Sequence, residues 1–526
     1  MAQPDAAVTR PRFGGLAICA AGLLAASTAE SVELVEVERY HEAQAEHCEQ
    51  ADILGIADPA ERFGAAFDCG DELFETRFNM LDGVGANVGN NLRFTRVPRA
   101  DMAGPGEWHF HTPLRSTGPN AEACTVCHVD PFEDGSGAAG LNAVRDPLHS
   151  GNPGQFIQRN TPHLFGAGGL QRLAEEMTEE MRTLVAEARD ESCKQGAAVP
   201  VLLQPKGVSF GTVTIDCNGN DNLSGLEGLD DDMVVKAFQW KGDTLTIRKF
   251  VRDAGHNELG MQAVELVGYF IDGDGDKVTN EFTVGDITAM SVYLAAQPRP
   301  STKLELNRLR LLDVTREEIS SIRRGEAVFA ETGCADCHRP ALVIDNPVFT
   351  EPSQTAEFIE LLFPAGLTPV AEGVDPTNPV RLDLTADQPD NELLVRGGRI
   401  HFGPFEKTRD GRAIVRLYGD LKRHEMGAAL AENIDETGTG ASTWMTKELW
   451  GVGSTAPYLH DGRATTLTEA ILEHGGEAQV VRDRAASLAE NDFAAMLAFL
   501  DNLILFKVED QQVVVFGKHS RRSRRR

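Results

Sequence analysis

Hydrophobic residues recur at helical spacing in two well-separated parts of the chain. The two sets are Ile287, Met290 and Leu294 in "GDITAMSVYLAAQ", and Phe493, Met496, Leu497 and Leu500 in "DFAAMLAFLDNLI". Steps of three and four residues place apolar side chains on one face of a helix. Each segment therefore predicts an amphipathic helix whose methionine and leucine side chains face a core.

A second pair of similar segments precedes these helices. "GDELF" at 70–74 and "GEAVF" at 325–329 are each typical of a helix that begins a unit, and Ile319, Ile322 and Phe329 share one helical face. Pro298 and Pro300 then indicate a linker, with the boundary near 300–314. The pattern predicts two mainly helical units that repeat one plan.

The N-terminal residues have the pattern of an export signal. An apolar run over 13–29 follows Arg10 and Arg12 and ends in Ser27 and Ala29 at cleavage-site spacing. We expect a cleaved signal peptide over 1–29 and a periplasmic or otherwise exported protein; an uncleaved anchor is the alternative. No later run approaches the roughly 20 apolar residues of a transmembrane helix, so no integral membrane segment is expected after cleavage.

Composition narrows the choice of partner. The chain has 526 residues, 41% of them hydrophobic, and a formal net charge of -30. That charge argues against nucleic acid, since phosphates would be repelled, and suits a basic or neutral soluble partner. The basic residues over 511–526 are interpreted as a solvated tail.

Four cysteines lie outside the signal and outside any C-x-x-C motif. Cys48 with Cys69 and Cys193 with Cys217 are close enough in sequence to form local disulfides. An exported protein favours that pairing. The alternative is four free buried thiols.

The remaining four cysteines form two copies of one motif, "CTVCH" at 124–128 and "CADCH" at 334–338. C-x-x-C-H is the attachment motif of c-type haem, in which two thioethers hold the porphyrin and the histidine binds the iron. The residues predicted to bind haem are Cys124, Cys127, His128, Cys334, Cys337 and His338. A zinc knuckle or a redox disulfide is the alternative, but neither of their usual contexts is visible.

Four further motifs carry a family resemblance. "STAPYLHDGRATTLTEAILEHGG" from 454, "RNTPHLFGAG" from 159, "FQWKGDTL" from 238 and "GDLKRHEMG" from 419 resemble the di-haem cytochrome c peroxidase and MauG superfamily, in particular its di-haem oxidoreductase (thiol oxidoreductase-like) branch. The resemblance spans residues 69–506. It implies a mainly α fold of two cytochrome c-type haem domains packed together.

The implied domains cover most of the chain. The N-terminal domain would span 30–300, with a small irregular or β insertion at about 170–236, and the C-terminal domain 315–510. Within the insertion, "VSFGTVTIDC" suggests a short β-hairpin.

The resemblance assigns electron transfer to the C-terminal haem. In the family, the distal ligand of this haem is typically a Met fourteen positions after the histidine of the T-A-P-Y-x-H-D-G motif. That histidine is His460 here, and counting fourteen positions from it reaches His474. This implies ligation by His338 and His474, and two imidazoles lower the potential relative to His with Met. Alternatively, His474 only ends a helix, where a cation is favourable.

The N-terminal haem would then be the reaction centre. Positions near those of the family offer Trp240 as an electron relay and Glu258 as the acid/base for peroxide. A core tryptophan and a surface glutamate are the alternative. His149 is a possible distal iron ligand, His256 is a rival to it, and His109, His111 and His163 stay open as alternatives.

Calcium is expected at two places. The family holds Ca²⁺ between its domains through residues that match Asn160, Thr455 and Pro457. A second possible site is the EF-hand-like loop "DGDGDKVTNE", with Asp272, Asp274 and Asp276 at alternate positions.

This loop departs from the EF-hand pattern at two positions. Lys277 stands where glycine belongs, and Thr283 stands where a bidentate glutamate belongs. An acidic solvated turn is the alternative interpretation.

These expectations combine into one functional prediction. The protein would reduce hydrogen peroxide at the N-terminal haem, with electrons from a small cytochrome c or a cupredoxin relayed through the C-terminal haem. A MauG-like or oxygenase-type enzyme with another substrate is the first alternative, and a non-enzymatic electron-transfer cytochrome the second. A high-spin signal that responds to peroxide or cyanide would distinguish an enzyme from a carrier.

Overall fold

A computed structural model describes residues 43–88, 92–98, 114–361, 363–386, 392–395, 398–508 and 513–514. The predicted signal at 1–29 lies outside these residues, as does most of the predicted tail. Among the described residues, no helix has the length and apolar character needed to cross a membrane.

Helix is more abundant than strand, at 36% against 13%, which agrees with the helical part of the predicted fold class, while the two haem domains stay a prediction. The α-helices are α1 Gln50–Gly55, α2 Pro59–Glu75, α3 Ala167–Gln195, α4 Ile247–Ala254, α5 Val264–Val267, α6 Val284–Ala295, α7 Lys303–Arg308, α8 Arg316–Thr332, α9 Leu467–Glu473, α10 Gln479–Ala486 and α11 Glu490–Asn502.

Two pairs of helices cross in the same way. Gly70 of α2 lies so close to α6 that a Cβ there would be 2.2 Å from the carbonyl oxygen of Ala289. Gly325 of α8 lies in the same relation to Ala495 of α11, at 1.9 Å. Because only glycine permits backbones to approach this closely, the two predicted units share one helix crossing.

The predicted helical stripes point into the core. Ile287, Met290 and Leu294 are all buried, and so is every other residue of α6. This helix is therefore fully buried, not amphipathic. In α11, Met496 and Leu500 are buried and the opposite face is exposed, as predicted.

The expected irregular or β insertion at 170–236 is wrong for its first part. Residues 167–195 form α3, which is 29 residues long and completely buried from Ala167 to Thr178. Its start fits against α6, since a Cβ on Gly168 would lie 2.4 Å from the carbonyl oxygen of Ala295. Leucine, methionine, alanine and glutamate favour helix in this segment, and their helix propensity decides its structure in place of the expected irregular or β conformation.

All strands are short and form two- or three-stranded sheets. They are β1 Ala143–Arg145, β2 Ile157–Arg159, β3 Val199–Leu202, β4 Thr212–Ile215, β5 Ser301–Thr302, β6 Leu342–Ile344, β7 Val348–Glu351, β8 Val380–Asp383, β9 Glu392–Val395, β10 Gly398–His401, β11 Glu406–Lys407, β12 Ala413–Val415, β13 Arg423–Glu425, β14 Thr443–Met445, β15 Leu503–Ile504 and β16 Val513–Val514.

Pairing is antiparallel except between β9 and β16. The sheets are β1-β2, β3-β4, β5-β15, β7-β8, β13-β14, β6-β12-β11 and β10-β9-β16. The predicted hairpin is present as β3-β4, with Val199 opposite Ile215.

The predicted linker at 300–314 is not an extended connection. Ser301 and Thr302 pair with Ile504 and Leu503, and α7 follows directly. Thr302 caps α7 through its side-chain oxygen, which accepts from the Glu305 amide.

Most buried apolar side chains of the described residues belong to one large cluster or to a smaller one, and two minor groups lie apart from them. The smaller one joins α8 and α11 and includes Phe329, Met496 and Phe499. The larger one contains α2, α3 and α6, and it also includes β6, β7 and β12 from the C-terminal half. Side chains such as Ile344 and Val415 therefore pack with the N-terminal half, while the predicted domain ranges stay a prediction.

Both predicted disulfides are confirmed. Cys48 bonds to Cys69 on α2, and Cys193 at the end of α3 bonds to Cys217 after β4. The first links the chain before α1 to the helix that carries Gly70. The second joins α3 to the β3-β4 hairpin.

Candidate functional site

Both C-x-x-C-H motifs form the same short turn. Each begins with one turn of 3-10 helix, over Cys124–Val126 and Cys334–Asp336. The amide of His128 donates to the Cys124 carbonyl at 3.2 Å, and that of His338 to the Cys334 carbonyl at 3.0 Å. This turn presents two sulfurs and an imidazole from five consecutive residues, as haem attachment requires.

The two motif histidines are held in the same orientation. Nδ1 of His128 is 3.2 Å from the Gly135 carbonyl oxygen, and Nδ1 of His338 is 3.1 Å from that of Tyr418. Burial lowers the pKa of each imidazole to about 4, so both are neutral at pH 7. Because Nδ1 donates to a carbonyl, Nε2 carries a free lone pair, which is the form that binds a metal.

The structure brings His474 to His338. Their ring centres are 6.4 Å apart at an interplanar angle of 59°. Nδ1 of His474 donates to the Ala470 carbonyl at 2.7 Å, which leaves Nε2 as the lone-pair nitrogen here too. A metal about 2.0–2.1 Å from each of two imidazole nitrogens separates the ring centres by roughly 6 Å, so the spacing fits one iron.

His474 does follow the end of α9. However, burial lowers its pKa, which favours the neutral imidazole over a cation at the helix end. The position of His474 therefore suits ligation better than helix capping, and its ligand role stays a prediction.

The cysteine sulfurs are poorly suited to zinc or redox chemistry. Burial raises the pKa of Cys124 and Cys127 to about 12 and that of Cys334 to about 11. Zinc binding and disulfide exchange both need the thiolate, which these surroundings disfavour. Within the described residues, the groups able to hold a metal ion include neither Cys124 nor Cys127, but one of them is Cys337 with Asp420 and His424. The zinc alternative is therefore disfavoured at the N-terminal motif and stays open at Cys337.

A cavity of about 430 Å³ extends from the C-terminal motif toward the N-terminal one. Cys334, Cys337, His338 and His474 line one end, and residues 160–163, which follow β2, line another part. Mostly apolar walls with a few inward polar groups are typical of a cofactor site. The donor set and the cavity therefore fit haem at the C-terminal motif.

Trp240 lies on the wall of this cavity. Its indole nitrogen donates to the Asn160 carbonyl at 2.9 Å, and the Lys447 ammonium lies 5.4 Å from the ring centre. The ring is half-buried. It therefore borders the space that both halves line, the position expected of a relay.

Glu258 lies in a single π-helical turn, Gly255–Leu259, that continues α4. Such turns are frequent at functional sites. The turn fixes Glu258 beside the N-terminal motif, because its carbonyl accepts from the amides of Asn120 at 2.8 Å and Ala121 at 3.2 Å. The negative charge of Glu258 also contributes, after burial, to the raised pKa of Cys127.

The electrostatics of Glu258 suit proton transfer. Burial raises the pKa of its carboxyl to about 7, against the opposing influence of Arg145 and of a hydrogen bond from Asn120. A carboxyl with a pKa near the working pH both accepts and returns protons. Glu258 is half-buried, not a solvated surface group.

Two candidates for the distal ligand of the N-terminal haem contact Arg115, whereas His163 lies on the cavity wall beside Trp450, and His109 and His111 lie outside the described residues. His149 has a positive φ of 49°, and its Nε2 donates to the Arg115 carbonyl at 2.7 Å. The rival His256 is buried in the same π turn as Glu258. The distal ligand stays a prediction.

The first predicted calcium group is partly assembled. Asn160 and Pro457 both lie against Gly462, and Thr455 lines the same cavity as they do. The Asn160 side-chain nitrogen donates to the Gly137 carbonyl and to Asn142, each at 3.1 Å. Calcium binding by this group stays a prediction.

The second predicted calcium group is an assembled cluster. Oxygens of Asp272, Asp274 and Asp276 all lie within 4.8 Å of one another. Burial and neighbouring aspartates raise the pKa of Asp276 to about 6. The same two causes raise the pKa of nearby Glu281 to about 10.

Sequence reasoning missed two side-chain groups at the cavity. His460 stacks on Trp444 with 3.8 Å between ring centres, and the Lys241 ammonium lies 3.8 Å from the Trp444 ring. His424 lies beside Cys337 and bonds to Asp420 at 3.0 Å and Glu477 at 2.8 Å. Lys241, His424 and His460 lie in three of the four quoted motifs. Their position in these motifs is the sequence signal that could have identified them.

These features fit the binding of haem: two C-x-x-C-H turns with neutral imidazoles, a second imidazole opposite one of them, and a largely apolar cavity. Residues 398–503 match the family model described as "Di-haem oxidoreductase, putative peroxidase". Over this segment the match agrees with the predicted resemblance to the di-haem oxidoreductase branch, and it supports a haem-dependent oxidoreductase. The matched segment contains His460 and His474, whereas both C-x-x-C-H motifs precede it.

A search of solved structures gives a weaker similarity. A protein described as "Crystal structure of a MauG-like protein associated with microbial copper homeostasis" aligns at 15% identity, over 50% of this chain and 68% of that chain, with a TM-score of 0.25. A score this low carries no argument about the fold. No curated protein matches the chain.

Proposed function

We propose that the chain is an exported di-haem c-type cytochrome oxidoreductase that reduces hydrogen peroxide beside the N-terminal motif. The residues that would hold the cofactors are Cys124, Cys127 and His128 for one haem, and Cys334, Cys337, His338 and His474 for the other. When bound, the C-terminal haem supplies electron transfer and the N-terminal haem the iron at which peroxide is reduced.

The single observation that carries this proposal is the carboxyl of Glu258. It has a pKa of about 7 and lies on a turn that two backbone hydrogen bonds fix beside the N-terminal motif. Peroxide needs a group that takes a proton from one oxygen and returns it to the other, so that water can leave. Glu258 has the pKa and the position for both steps.

Two other groups support the division of roles. The buried imidazoles of His338 and His474 would both hold the iron of the C-terminal haem, which would then supply electron transfer and not a binding place for peroxide. Trp240 borders the cavity between the two halves and offers an aromatic path for electrons. A small cytochrome c or a cupredoxin with a basic or neutral docking face would suit the net charge of -30.

Peroxide turnover by the haem-loaded protein tests the proposal. We expect two haems per chain by pyridine haemochrome analysis and peroxide-dependent oxidation of a reduced small cytochrome c. Glu258→Gln should lower turnover by about 100-fold or more, since a positioned acid/base contributes that much. Glu317→Gln, an exposed change at the start of α8, is the matched control.

The paired imidazoles also favour a second candidate, a MauG-like or oxygenase-type enzyme that modifies another substrate. Two histidine ligands give a low potential, which suits a conventional donor poorly. Peroxide consumption that depends on Glu258 but does not oxidise any small cytochrome or cupredoxin would favour this candidate. Two low-spin haems that fail to respond to peroxide would instead favour an electron carrier.

A further inference from the structure

The acidic loop after α5 has the backbone of a calcium loop despite its two sequence departures. Lys277 occupies the position of the EF-hand glycine, and it adopts the left-handed conformation that glycine supplies there, with φ of 79°. The Asp272 carboxylate accepts from the amides of Gly275, Asp276 and Lys277, which closes the loop around the aspartates. The turn is therefore formed without the glycine.

The last ligand of an EF-hand is missing from its usual position. Thr283, which stands there, caps α6 by accepting from the Asp286 amide and donates to the Cys48 carbonyl. Glu281, two residues earlier, is 2% exposed and held against the loop by Gln262. The backbone N–H of Gln262 donates to Oε2 of Glu281 at 2.8 Å. The side-chain oxygen of Gln262 accepts from the backbone N–H of Gly273 at 2.9 Å.

Three buried carboxylate oxygens at this place have no hydrogen-bond partner. They are Oδ1 of Asp274, Oδ2 of Asp276 and Oε1 of Glu281. Asp274 is also only 2% exposed. Arg93 lies 3.7 Å from Oδ2 of Asp276, and Arg115 pairs with the other oxygen of Asp274, so three carboxylates face two guanidinium groups. Buried carboxylates in excess of the cations around them are costly, and a cation coordinated by several oxygens removes that cost.

Arg115 connects this loop to the turn of Glu258. Its side chain is fully buried and donates to Oδ2 of Asp274 at 3.1 Å. It also donates to the carbonyls of His256 at 2.9 Å and Gly260 at 3.2 Å, within and directly after the π turn. The conformation of the loop and that of the turn therefore depend on one another.

We propose that Asp272, Asp274, Asp276 and Glu281 bind one Ca²⁺, and that the bound ion stabilises, through Arg115, the π turn that positions Glu258. Glu281 takes the place of the bidentate glutamate that the EF-hand pattern lacks here. Hard oxygen ligands of this number and charge select Ca²⁺ over softer metals. The site does not depend on the proposed function, whereas the positioning of Glu258 does.

Calcium titration of the haem-loaded protein tests the site. After treatment with a chelator, calorimetry should show one more bound Ca²⁺ per chain for the native protein than for Glu281→Gln, or an affinity about tenfold or more weaker in the variant. Glutamine can still accept from Gln262, so the loop keeps its hydrogen bond. Equal stoichiometry and affinity in both proteins would overturn the proposal.

Two further variants separate this site from other sources of binding. Glu317→Gln removes the same charge on an exposed surface and should bind as the native protein does. Lys277→Gly removes a positive charge and relieves the left-handed strain, so it should bind more tightly. Unchanged or weaker binding in Lys277→Gly would contradict the loop geometry assigned here.

Amide hydrogen exchange tests the connection to Glu258. Removal of calcium with a chelator should accelerate amide exchange over 255–260 in the native protein. The same chelator should leave exchange in Glu281→Gln unchanged. Exchange that ignores calcium in a native protein that binds it would refute the positioning role. Because neither readout requires peroxide, failure of this proposal can be distinguished from failure of the peroxidase proposal.

Discussion

The two halves of the molecule share a helix crossing and differ in what surrounds their motif histidines. Phe74 and Tyr293 beside the first crossing have ring centres 5.3 Å apart, as do Phe329 and Phe499 beside the second. His128 lies 6.1 Å from Phe74, and His338 lies 6.3 Å from Phe329. The glycine, the aromatic pair and the imidazole therefore recur in both halves, with nearly equal distances between the ring centres.

The difference lies in the segments that follow each motif. The second half brings His474 to His338, whereas the first half fixes Glu258 on a π turn beside its own motif. One scaffold can therefore hold two chemically distinct sites, because the crossing helices position the motif and other segments supply the second group. Changes to these second groups should alter one half and leave the other unaffected.

The largest expected effect concerns the pH dependence of the first half. The carboxylate of Glu258 must accept a proton, and its pKa of about 7 lies above the ordinary value. Peroxide reaction rates should therefore rise with pH through about 7, and Glu258→Gln should remove that rise together with about 100-fold of the rate. Rapid-mixing kinetics from pH 5 to 9 measure both. An unchanged profile in the variant would exclude Glu258 as the base.

A change of ligand in the second half should move its reduction potential. His474→Met replaces an imidazole with a thioether, which stabilises ferrous iron, so we expect a rise on the order of 0.1 V. Spectroelectrochemical titration measures it. His149→Met is the control and should leave this potential where it was. An equal potential in native protein and His474→Met would mean that His474 is not a ligand.

The shared crossing predicts a matched pair of stability effects. Gly70→Ala and Gly325→Ala each place a Cβ within about 2 Å of a carbonyl oxygen and should each lower the free energy of unfolding by about 1–3 kcal/mol. Gly64→Ala, in the same helix as Gly70 but with open space around it, should be neutral or stabilising. Thermal and denaturant unfolding compare the three. Similar stability in all three variants would refute the close crossing.

Features that depend on residues close together in the chain were predicted from the amino-acid sequence. The C-x-x-C-H turns and the helices around Gly70 and Gly325 follow from spacing over a few residues. The disulfides join cysteines 21 and 24 residues apart, and they were predicted because each pair is local and stands outside any C-x-x-C motif. The distance from His460 to His474 could be counted only because the family resemblance supplied the reference.

Features that depend on distant contacts were missed. The fully buried start of α3 resembles an ordinary amphipathic helix in sequence, and its burial comes from α6 and from the C-terminal half. Glu281 deviates from the EF-hand spacing, so no pattern pointed to it; only its unpaired buried oxygen does. The stack of His460 on Trp444 joins residues sixteen positions apart in sequence through loop geometry that no periodicity encodes.

The strands β6, β7 and β12 place Leu342, Ile344, Phe349 and Val415 in the larger core beside α3. A fragment that starts at 315 would expose these side chains to water and leave β15 without β5. Such a fragment is expected to aggregate when expressed alone, despite containing a complete haem motif. The dependence runs in one direction: strands of the C-terminal half form part of the interior of the N-terminal half, whereas the smaller cluster draws only on residues from Val328 onward.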